Sequence, residues 1–194
     1  VDFDYTGLAA NSSGWWRIED GYVNIDFNGF VENEKGWWYL EGGQVKFDRT
    51  EVIYGTVQGE TAWWNVVGGQ VVYEDTVAQN SGGWWYIRNG KVDFDYTGLA
   101  ANSSGWWRIE DGYVNIDFNG FAENEKGWWY LEGGQVRFDR TEVLEGTVDG
   151  ETGWWNVVGG EVVFEDTVAA NGSGWWRIED GKVNFDFNDF AENE

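Results

Sequence analysis

Apolar and polar positions alternate on both sides of a short glycine-containing dipeptide throughout the chain. In the first copy, the run GWWRIE precedes Asp20-Gly21 and the run YVNIDF follows it. Dipeptides of this kind accept positive φ at both central positions, as a tight β-hairpin requires. The same kind of turn recurs at 42–43, 68–69, 89–90, 111–112, 133–134, 159–160 and 180–181. The pattern therefore predicts eight two-stranded hairpins and an all-β fold.

A two-residue turn also predicts which residues share a face, because it fixes the register of the two strands. In this register Glu19 pairs with Tyr22, and each residue further from the turn pairs with its counterpart. One face is then apolar in every copy, and we predict that it forms the core. Its members are Trp16, Ile18, Val23, Ile25 and Phe27 in the first copy, Trp38, Leu40, Val45 and Phe47 in the second, and Trp85, Ile87, Val92, Phe94 and Tyr96 in the fourth.

The opposite face places the first tryptophan of each Trp-Trp pair across from an acid. The predicted pairs are Trp15 with Asp26, Trp37 with Asp48, Trp63 with Glu74, Trp84 with Asp95, Trp106 with Asp117, Trp128 with Asp139, Trp154 with Glu165, and Trp175 with Asp186. An indole face stacks on sugar C–H surfaces or on a cation, and a carboxylate accepts hydroxyl hydrogen bonds or pairs with that cation. We predict that these residues bind a ligand. The alternative is that both rings are buried and only hold the hairpins together.

The Trp-Trp pairs also define an internal repeat. Successive pairs lie 22, 26, 21, 22, 22, 26 and 21 residues apart, so a four-unit cassette of 91 residues is duplicated. We predict a half unit at 1–13 and eight units at 14–35, 36–61, 62–82, 83–104, 105–126, 127–152, 153–173 and 174–194, as a fragment of a longer array.

Within this array, passages such as YTGLAANSSG are expected to connect the hairpins, and Gln58-Gly59 is expected to form one more turn. One hairpin alone is only marginally stable in water. The units, of about 22 residues each, are therefore expected to stack into one elongated solenoid.

Composition narrows the range of partners. The net charge of -23 and the pI near 4.1 disfavour phosphate backbones and anionic lipid, which are bound by Lys and Arg clusters. We therefore expect no nucleic-acid partner, and no apolar run is long enough for membrane insertion. The chain has no His and no Cys, which removes the usual general base, thiol nucleophile and most zinc sites. We expect a protein that is not an enzyme and that has no cofactor.

One segment raises the question of calcium. The run DFDYTG at 93–98 has oxygen ligands at alternate positions before a glycine, as at the start of a Ca²⁺ loop. The Glu expected at the twelfth position is Ser104 instead. A strand that runs into a turn is the favoured interpretation, with Ca²⁺ binding as the alternative.

The segment GWWYIRNGKVDFDYTGLAANSSGWW resembles the aromatic-rich cell-wall-binding repeats of Gram-positive surface proteins, a group that includes choline-binding repeats. It is also similar to Trp-Trp repeat arrays of gut anaerobes. The resemblance implies a hairpin solenoid at the cell surface or outside the cell, which attaches its parent protein to a cell-wall polymer or glycan. The alternatives are a structural stalk or spacer that self-associates into fibres, and an adhesive surface for a host protein.

Overall fold

The computed structural model describes residues 2–188, and every regular element among them is a β-strand. This confirms the predicted all-β fold. None of the described segments is a helix that could cross a membrane. The strands are β1 Gly7–Asn11, β2 Gly14–Glu19, β3 Tyr22–Val23, β4 Gly29–Asn33, β5 Gly36–Glu41, β6 Gln44–Val45, β7 Glu51–Val57, β8 Glu60–Val67, β9 Gln70–Val71, β10 Thr76–Asn80, β11 Gly83–Arg88, β12 Lys91–Val92, β13 Gly98–Asn102, β14 Gly105–Glu110, β15 Tyr113–Val114, β16 Gly120–Asn124, β17 Gly127–Glu132, β18 Gln135–Val136, β19 Glu142–Val148, β20 Glu151–Val158, β21 Glu161–Val162, β22 Thr167–Asn171, β23 Gly174–Glu179 and β24 Lys182–Val183.

Each repeat consists of two longer strands followed by a strand of two residues. In the first repeat β1 pairs antiparallel with β2, and β2 then pairs antiparallel with β3. The same order of strand lengths recurs up to β24. The first strand of each repeat comes from passages such as YTGLAANSSG, which the sequence analysis treated as connections. That expectation was wrong, because the backbone of these passages pairs along the Trp-bearing strand.

The predicted glycine turns are confirmed. At the first of them φ is 46° for Asp20 and 78° for Gly21, and both central residues are also positive at the other seven. The additional turn at Gln58-Gly59 is present as well, with φ of 53° and 81°, and it joins β7 to β8. The residues alone were sufficient to identify these turns, because a positive φ is a local requirement that Gly, Asn and Asp satisfy best.

The predicted register holds only next to the turn. Ile18 lies opposite Val23 as expected, but the returning strand ends there. The side-chain oxygen of Asn24 accepts a hydrogen bond from the main-chain N–H of Asp26 at 3.1 Å, which turns the chain away from the sheet. Trp15 therefore lies opposite Ala10 of β1. The predicted Trp–acid cross-strand pairs are not formed.

From β2 to β20, the outer half of each Trp-bearing strand is completed by the next repeat. Trp16 lies opposite Gln44, and the N–H of Arg17 donates to the main-chain oxygen of Gly43 at 2.7 Å. The approach is so close that a Cβ on Gly43 would lie 2.1 Å from the main-chain oxygen of Asn24. The second glycine of the turn thus provides both a positive φ and the space for the neighbouring backbone.

Contacts divide the described chain into two compact units. One holds the described residues up to Asp95 together with Asp111–Tyr113, and the other holds Tyr96–Glu110 together with the described residues from Val114 onward. Each unit contains small clusters of buried residues. In the first unit these are Val31, Trp38, Leu40 and Val45, then Phe30, Val57, Trp64, Val66 and Val71. In the second unit they are Leu99, Ala122, Trp129, Leu131 and Val136, then Phe121, Val148, Trp155, Val157 and Val162, then Val143, Ile178 and Val183.

The predicted core is correct only in part, since Trp38 is buried although it is remote from the turn, and Val23 is 48% exposed although it lies beside one. Leu40 and Ile87 are fully buried, as expected. Ile25, Phe47 and Phe94 are 66%, 47% and 50% exposed, because the strands end before these positions. These side chains were assigned to the core on a register that the chain does not keep. Phe47 instead belongs to an aromatic cluster described below, and Phe94 lines a cavity.

Candidate aromatic binding sites

An asparagine fixes the second tryptophan of the pair in most repeats. Asn33, the last residue of β4, accepts hydrogen bonds at Oδ1 from the N–H of Lys35 at 2.9 Å and from Nε1 of Trp38 at 3.1 Å. The first bond closes the two-residue turn, and the second orients the indole ring. The same tryptophan bond joins Asn11 to Trp16, Asn80 to Trp85, Asn102 to Trp107, Asn124 to Trp129, and Asn171 to Trp176. In the two long hairpins, Trp64 and Trp155 donate to the main-chain oxygens of Gly55 and Gly146 instead.

Two neighbouring repeats in the first unit bring three aromatic rings together. The centroids of Trp15 and Trp38 are 4.9 Å apart, and the Phe47 centroid lies 5.7 Å from Trp15 and 5.6 Å from Trp38. The three interplanar angles are 63°, 82° and 70°, so the rings meet edge to face. Phe47 is exposed, so this first aromatic cluster reaches the protein surface.

The second unit repeats the arrangement at Trp106, Trp129 and Phe138, which we name the second aromatic cluster. Its centroid separations are 4.9 Å, 5.7 Å and 5.6 Å. Phe138 is exposed like Phe47. The duplicated cassette therefore carries this three-ring geometry twice.

Each cluster already holds a cation from the chain itself. Nζ of Lys35 lies 5.1 Å from the centroid of the Trp15 ring, and Nζ of Lys126 lies 5.0 Å from the centroid of Trp106. Both distances are within the range of about 6 Å over which an ammonium is attracted to an indole face. The geometry shows that the first tryptophan of each cluster presents a face suited to an organic ammonium group.

A cavity of about 410 Å³ lies in the first unit, where Trp63, Trp85 and Phe94 hold the repeat positions of Trp15, Trp38 and Phe47. It lies beside Tyr54 and Trp63, whose ring centroids are 5.3 Å apart, and it is also lined by Trp85 and Phe94, whose centroids are 5.7 Å apart. Its volume falls within the range of roughly 300–1,000 Å³ that is usual for small-molecule sites. We refer to it as the Tyr54 cavity.

The polar lining of the Tyr54 cavity is an ion-pair network of two carboxylates and one guanidinium, which leaves a net negative charge. Arg49 pairs with Glu41 at 2.8 Å and with Glu51 at 3.2 Å, and Glu41 raises the pKa of the Arg49 guanidinium above its usual value. The Tyr39 hydroxyl donates to Oε1 of Glu41 at 3.2 Å, and burial followed by the Glu41 charge raises the pKa of that phenol. The cavity therefore offers paired donors and acceptors beside its aromatic walls.

The sixteen residues predicted to bind a ligand differ in their exposure. Among the first tryptophans Trp63, Trp84 and Trp175 are exposed, while Trp15, Trp37, Trp106, Trp128 and Trp154 are half-buried. All of the predicted acids are exposed, namely Asp26, Asp48, Glu74, Asp95, Asp117, Asp139, Glu165 and Asp186. Their shared role in binding stays a prediction.

The residues that lie opposite the first tryptophans are different from those predicted. A carboxylate is found there only at Glu32 opposite Trp37, Glu123 opposite Trp128, and Glu145 opposite Trp154. The sequence pointed to Trp15 and Trp106 of the aromatic clusters, but not to Phe47 or Phe138, nor to Tyr54 beside the cavity, as site residues. The available signal was an aromatic residue two positions after the short strand, present at Phe47, Tyr73, Phe94, Phe138, Phe164 and Phe185.

The described part of the chain contains no preformed group of acidic side chains for calcium. Within residues 2–188, no group of three or more His, Cys, Asp or Glu side chains is placed to hold a metal ion. In the segment proposed as a calcium loop, Asp93 Oδ1 accepts a hydrogen bond from the N–H of Asp95 at 3.0 Å. This is a local turn of the same kind as at Asn24.

Among solved structures, the chain is similar to CbpJ from Streptococcus pneumoniae, with 19% identity over 89% of this chain and 58% of that one and a TM-score of 0.35. It is similar to choline binding protein F of the same organism, with 19% identity over 89% of this chain and 57% of that one and a TM-score of 0.34. That protein was solved in the presence of a peptidoglycan analogue. The chain thus spans less than two thirds of each of these structures, and no curated protein sequence matches it.

The family comparison covers more than half of the chain. A family model described as a choline-binding repeat matches residues 4–24, 26–46, 74–93, 95–115, 117–137 and 165–184. The unmatched stretches at 47–73 and 138–164 contain the two long hairpins, β7–β8 and β19–β20. The six matches agree with the repeated order of strands in these segments. The chain therefore belongs to the choline-binding repeat family.

Proposed function

We propose that this chain is a non-catalytic extracellular module that attaches its parent protein to a cell-wall polymer by binding quaternary ammonium groups such as choline. The observation that carries the proposal is the aromatic cluster of Trp15, Trp38 and Phe47, over which the Lys35 ammonium already lies. A quaternary ammonium is attracted to indole and phenyl faces by the same cation–π interaction. The family to which the chain belongs is named for this ligand, and the choline of the cell wall is carried on teichoic acids.

The charge of the chain supports the same ligand. A net charge of -23 produces a negative potential that raises the local concentration of cationic groups. The eight predicted acids are all exposed, and in this proposal they supply that potential beside the rings. Two clusters on one chain multiply weak contacts with a polymer that carries many choline groups, because the second contact is intramolecular once the first has formed.

Burial favours a second candidate, a stalk whose tryptophans only hold the repeats together. Trp38, Trp64, Trp129 and Trp155 are 4–8% exposed, so the second tryptophan of these pairs belongs to the core. In the binding module the exposed rings contact the ligand, whereas in the stalk they have no ligand. Phe47 and Phe138 are exposed, and their substitution separates the two functions.

The test is a calorimetric titration of the full chain with choline chloride, supported by retention on a choline-substituted resin. We expect millimolar or tighter binding, and a loss of at least about 10-fold in affinity in the double variant Phe47→Ala with Phe138→Ala. Tyr22→Ala is the matched control, because Tyr22 is an exposed aromatic residue outside both clusters. If the folded wild type shows no binding at tens of millimolar choline, or if the double variant binds like the control, the stalk is the better description.

A further inference from the structure

Four of the five lysines lie over a tryptophan ring, and they are of two kinds. Lys91 and Lys182 lie over Trp64 and Trp155, two rings that are each only 4% exposed. Each of these two lysines is also paired with a glutamate of a long hairpin. Their charge is therefore compensated within the chain.

Lys35 and Lys126 differ because no carboxylate neutralises them. They lie over Trp15 and Trp106 of the two aromatic clusters, and both lysines are exposed. Within residues 2–188 neither lysine forms an ion pair, whereas nine of the twelve Lys and Arg residues do. Because the chain has 35 acids, an unpaired cation is the exception, and two of these exceptions lie at the clusters.

The position of these lysines in the hairpin turn is specific to the repeats that build the clusters. Lys35 is the second residue after Asn33, and Lys126 holds the same position in the second cassette. In the other turns that begin with Asn, the equivalent residues are Ser13, Gly82, Ser104 and Ser173. Lysine therefore replaces a small residue only in the two turns beside the aromatic clusters.

A lysine at this place opposes a simple cation and favours a ligand that also carries an anion. The Lys35 ammonium and a quaternary ammonium are attracted to the same face of Trp15, so they compete and repel each other. If the ligand also carries an anionic group, the exposed Lys35 side chain can leave the ring and pair with that group, while the ligand's ammonium takes its place. The net charge of -23 would otherwise repel the anion. The lysine thus supplies the local positive charge that such a ligand needs.

We propose that Lys35 and Lys126 determine the specificity of the two aromatic clusters, and that these clusters select zwitterions in which a quaternary ammonium carries an anionic group on a short linker. The rings hold the ammonium, and the lysine binds the anion. This inference rests on the proposed binding of ammonium groups and adds a requirement for the anion.

The test is a calorimetric titration of the full chain with four small probes. Choline and tetramethylammonium have no anion, whereas phosphocholine carries a phosphate and glycine betaine carries a carboxylate. We expect phosphocholine to bind at least about 5-fold more tightly than choline. The general negative potential of the chain favours choline, so net charge alone does not produce this order. Glycine betaine then distinguishes recognition of a phosphate from recognition of any anion.

The double variant Lys35→Ser with Lys126→Ser introduces the residue of the other turns and keeps all the rings of both clusters. It is expected to bind choline about 2- to 5-fold more tightly than the wild type and phosphocholine at least about 3-fold more weakly. Lys35→Arg with Lys126→Arg keeps the charge and is expected to keep the preference. Circular dichroism establishes that each variant is folded.

The matched control is Lys91→Gln with Lys182→Gln. It removes the same amount of charge from rings outside the clusters, and glutamine is the residue that Gln44 places at this position in another repeat. The control is expected to prefer phosphocholine as the wild type does. An equal loss of preference in the control would show that total charge, and not the two cluster lysines, selects the ligand.

Failure of this inference and failure of the proposed function give different results. If the folded wild type binds none of the four probes, both are overturned. If the wild type binds choline but prefers neither phosphocholine nor glycine betaine, only this inference is overturned. The same holds if Lys35→Ser with Lys126→Ser retains the preference of the wild type.

Discussion

Nε2 of Gln44 donates a hydrogen bond to the main-chain oxygen of Ser13, 31 residues earlier in the chain, over 2.8 Å. The bond joins the short strand of one repeat to the first turn of the repeat before it. Gln70 makes the same bond to Lys35 at 2.7 Å, and Gln135 makes it to Ser104 at 2.9 Å. Glutamine is suited to this position because its side-chain amide donates to a main-chain oxygen of the neighbouring repeat.

The first prediction concerns Glu161, which occupies in the second cassette the position that Gln70 has in the first. An ionised carboxylate cannot donate to the main-chain oxygen of Lys126, so Glu161→Gln is expected to stabilise the chain by about 0.5–1.5 kcal/mol. Urea unfolding followed by tryptophan fluorescence measures the change. The reverse substitution, Gln70→Glu, is the control and is expected to destabilise the chain by a similar amount. A lower stability for Glu161→Gln would contradict the proposed role of this bond.

The second prediction concerns the asparagine that holds the second tryptophan. Asn33→Ala removes the acceptor for Nε1 of Trp38, a side chain that is only 8% exposed. Leaving this donor without a partner is expected to cost about 1–3 kcal/mol in the free energy of unfolding. Asn33→Asp keeps an acceptor oxygen and is expected to cost less. Equal losses in the two variants would show that the hydrogen bond is not what Asn33 contributes.

The third prediction compares two turn glycines with similar backbone angles. Gly43 has a φ of +74° and Gly59 a φ of +81°, but a Cβ on Gly43 would meet the neighbouring backbone, while a Cβ on Gly59 meets nothing within 4 Å. Gly59→Ala is expected to cost about 1–2 kcal/mol through backbone strain alone. Gly43→Ala adds a steric clash and is expected to cost about 2–5 kcal/mol. Thermal unfolding of both variants measures the difference, and the idea fails if Gly59→Ala is the more damaging.

The fourth prediction concerns acid stability. Hydrogen bonding to Arg140 lowers the pKa of Glu132 below its usual value, although partial burial opposes the shift. Glu132 therefore contributes stability above the unfolded-state pKa of about 4.3, and this contribution is lost as the pH falls through the lower folded-state pKa. Glu132→Gln is expected to flatten the pH dependence between about pH 5 and pH 3.

The measurement for Glu132 is urea unfolding of the wild type and of Glu132→Gln at several pH values in this window. Protonation of the other acids also relieves the repulsion that accompanies a net charge of -23. The difference between the two proteins is therefore informative, and the absolute stability is not. Parallel curves for the two proteins would rule out the contribution of Glu132.

The fifth prediction concerns the lysine over the first aromatic cluster. The Lys35 ammonium lies over the Trp15 ring face that choline is proposed to use, so the two cations compete. Lys35→Ala is expected to tighten choline binding at this cluster by about 2- to 5-fold, since an exposed cation–π contact is worth about 0.5–1 kcal/mol. Lys126→Ala provides the matched test at the second cluster. Weaker choline binding in both variants would show that the lysines assist the ligand.

The sequence was most informative where structure is decided locally. The turns at Asp20-Gly21 and Gln58-Gly59 follow from residues that tolerate positive φ, and the burial of Leu40 follows from its place beside such a turn. The register failed further out because Asn24 ends the short strand through its own side chain. A short strand that ends in a turn and a longer continuous strand show the same alternation of apolar and polar positions. The sequence pattern therefore does not reveal where the strand ends.

The candidate sites were harder to predict because they depend on contacts between repeats. Trp15 meets Trp38 and Phe47 across a repeat boundary, at 4.9 Å and 5.7 Å between ring centroids. Pairing within one hairpin cannot reveal this contact, and it assigned Phe47 to the core. Tyr54 was noticed only as a difference between the two cassettes, and its position beside a cavity required the fold.

The short returning strand has an evolutionary consequence. Trp16 of one repeat pairs with Gln44 of the next, and the same kind of contact joins the repeats that follow. A repeat therefore has one surface for the repeat before it and a matching surface for the repeat after it. Unequal recombination can therefore add or delete a whole 91-residue cassette without creating an incompatible junction. Descendant genes can differ in copy number while each protein keeps its fold. The two cassettes already differ at Tyr54 and Glu145, so a copy can diverge on its surface while its junctions are kept.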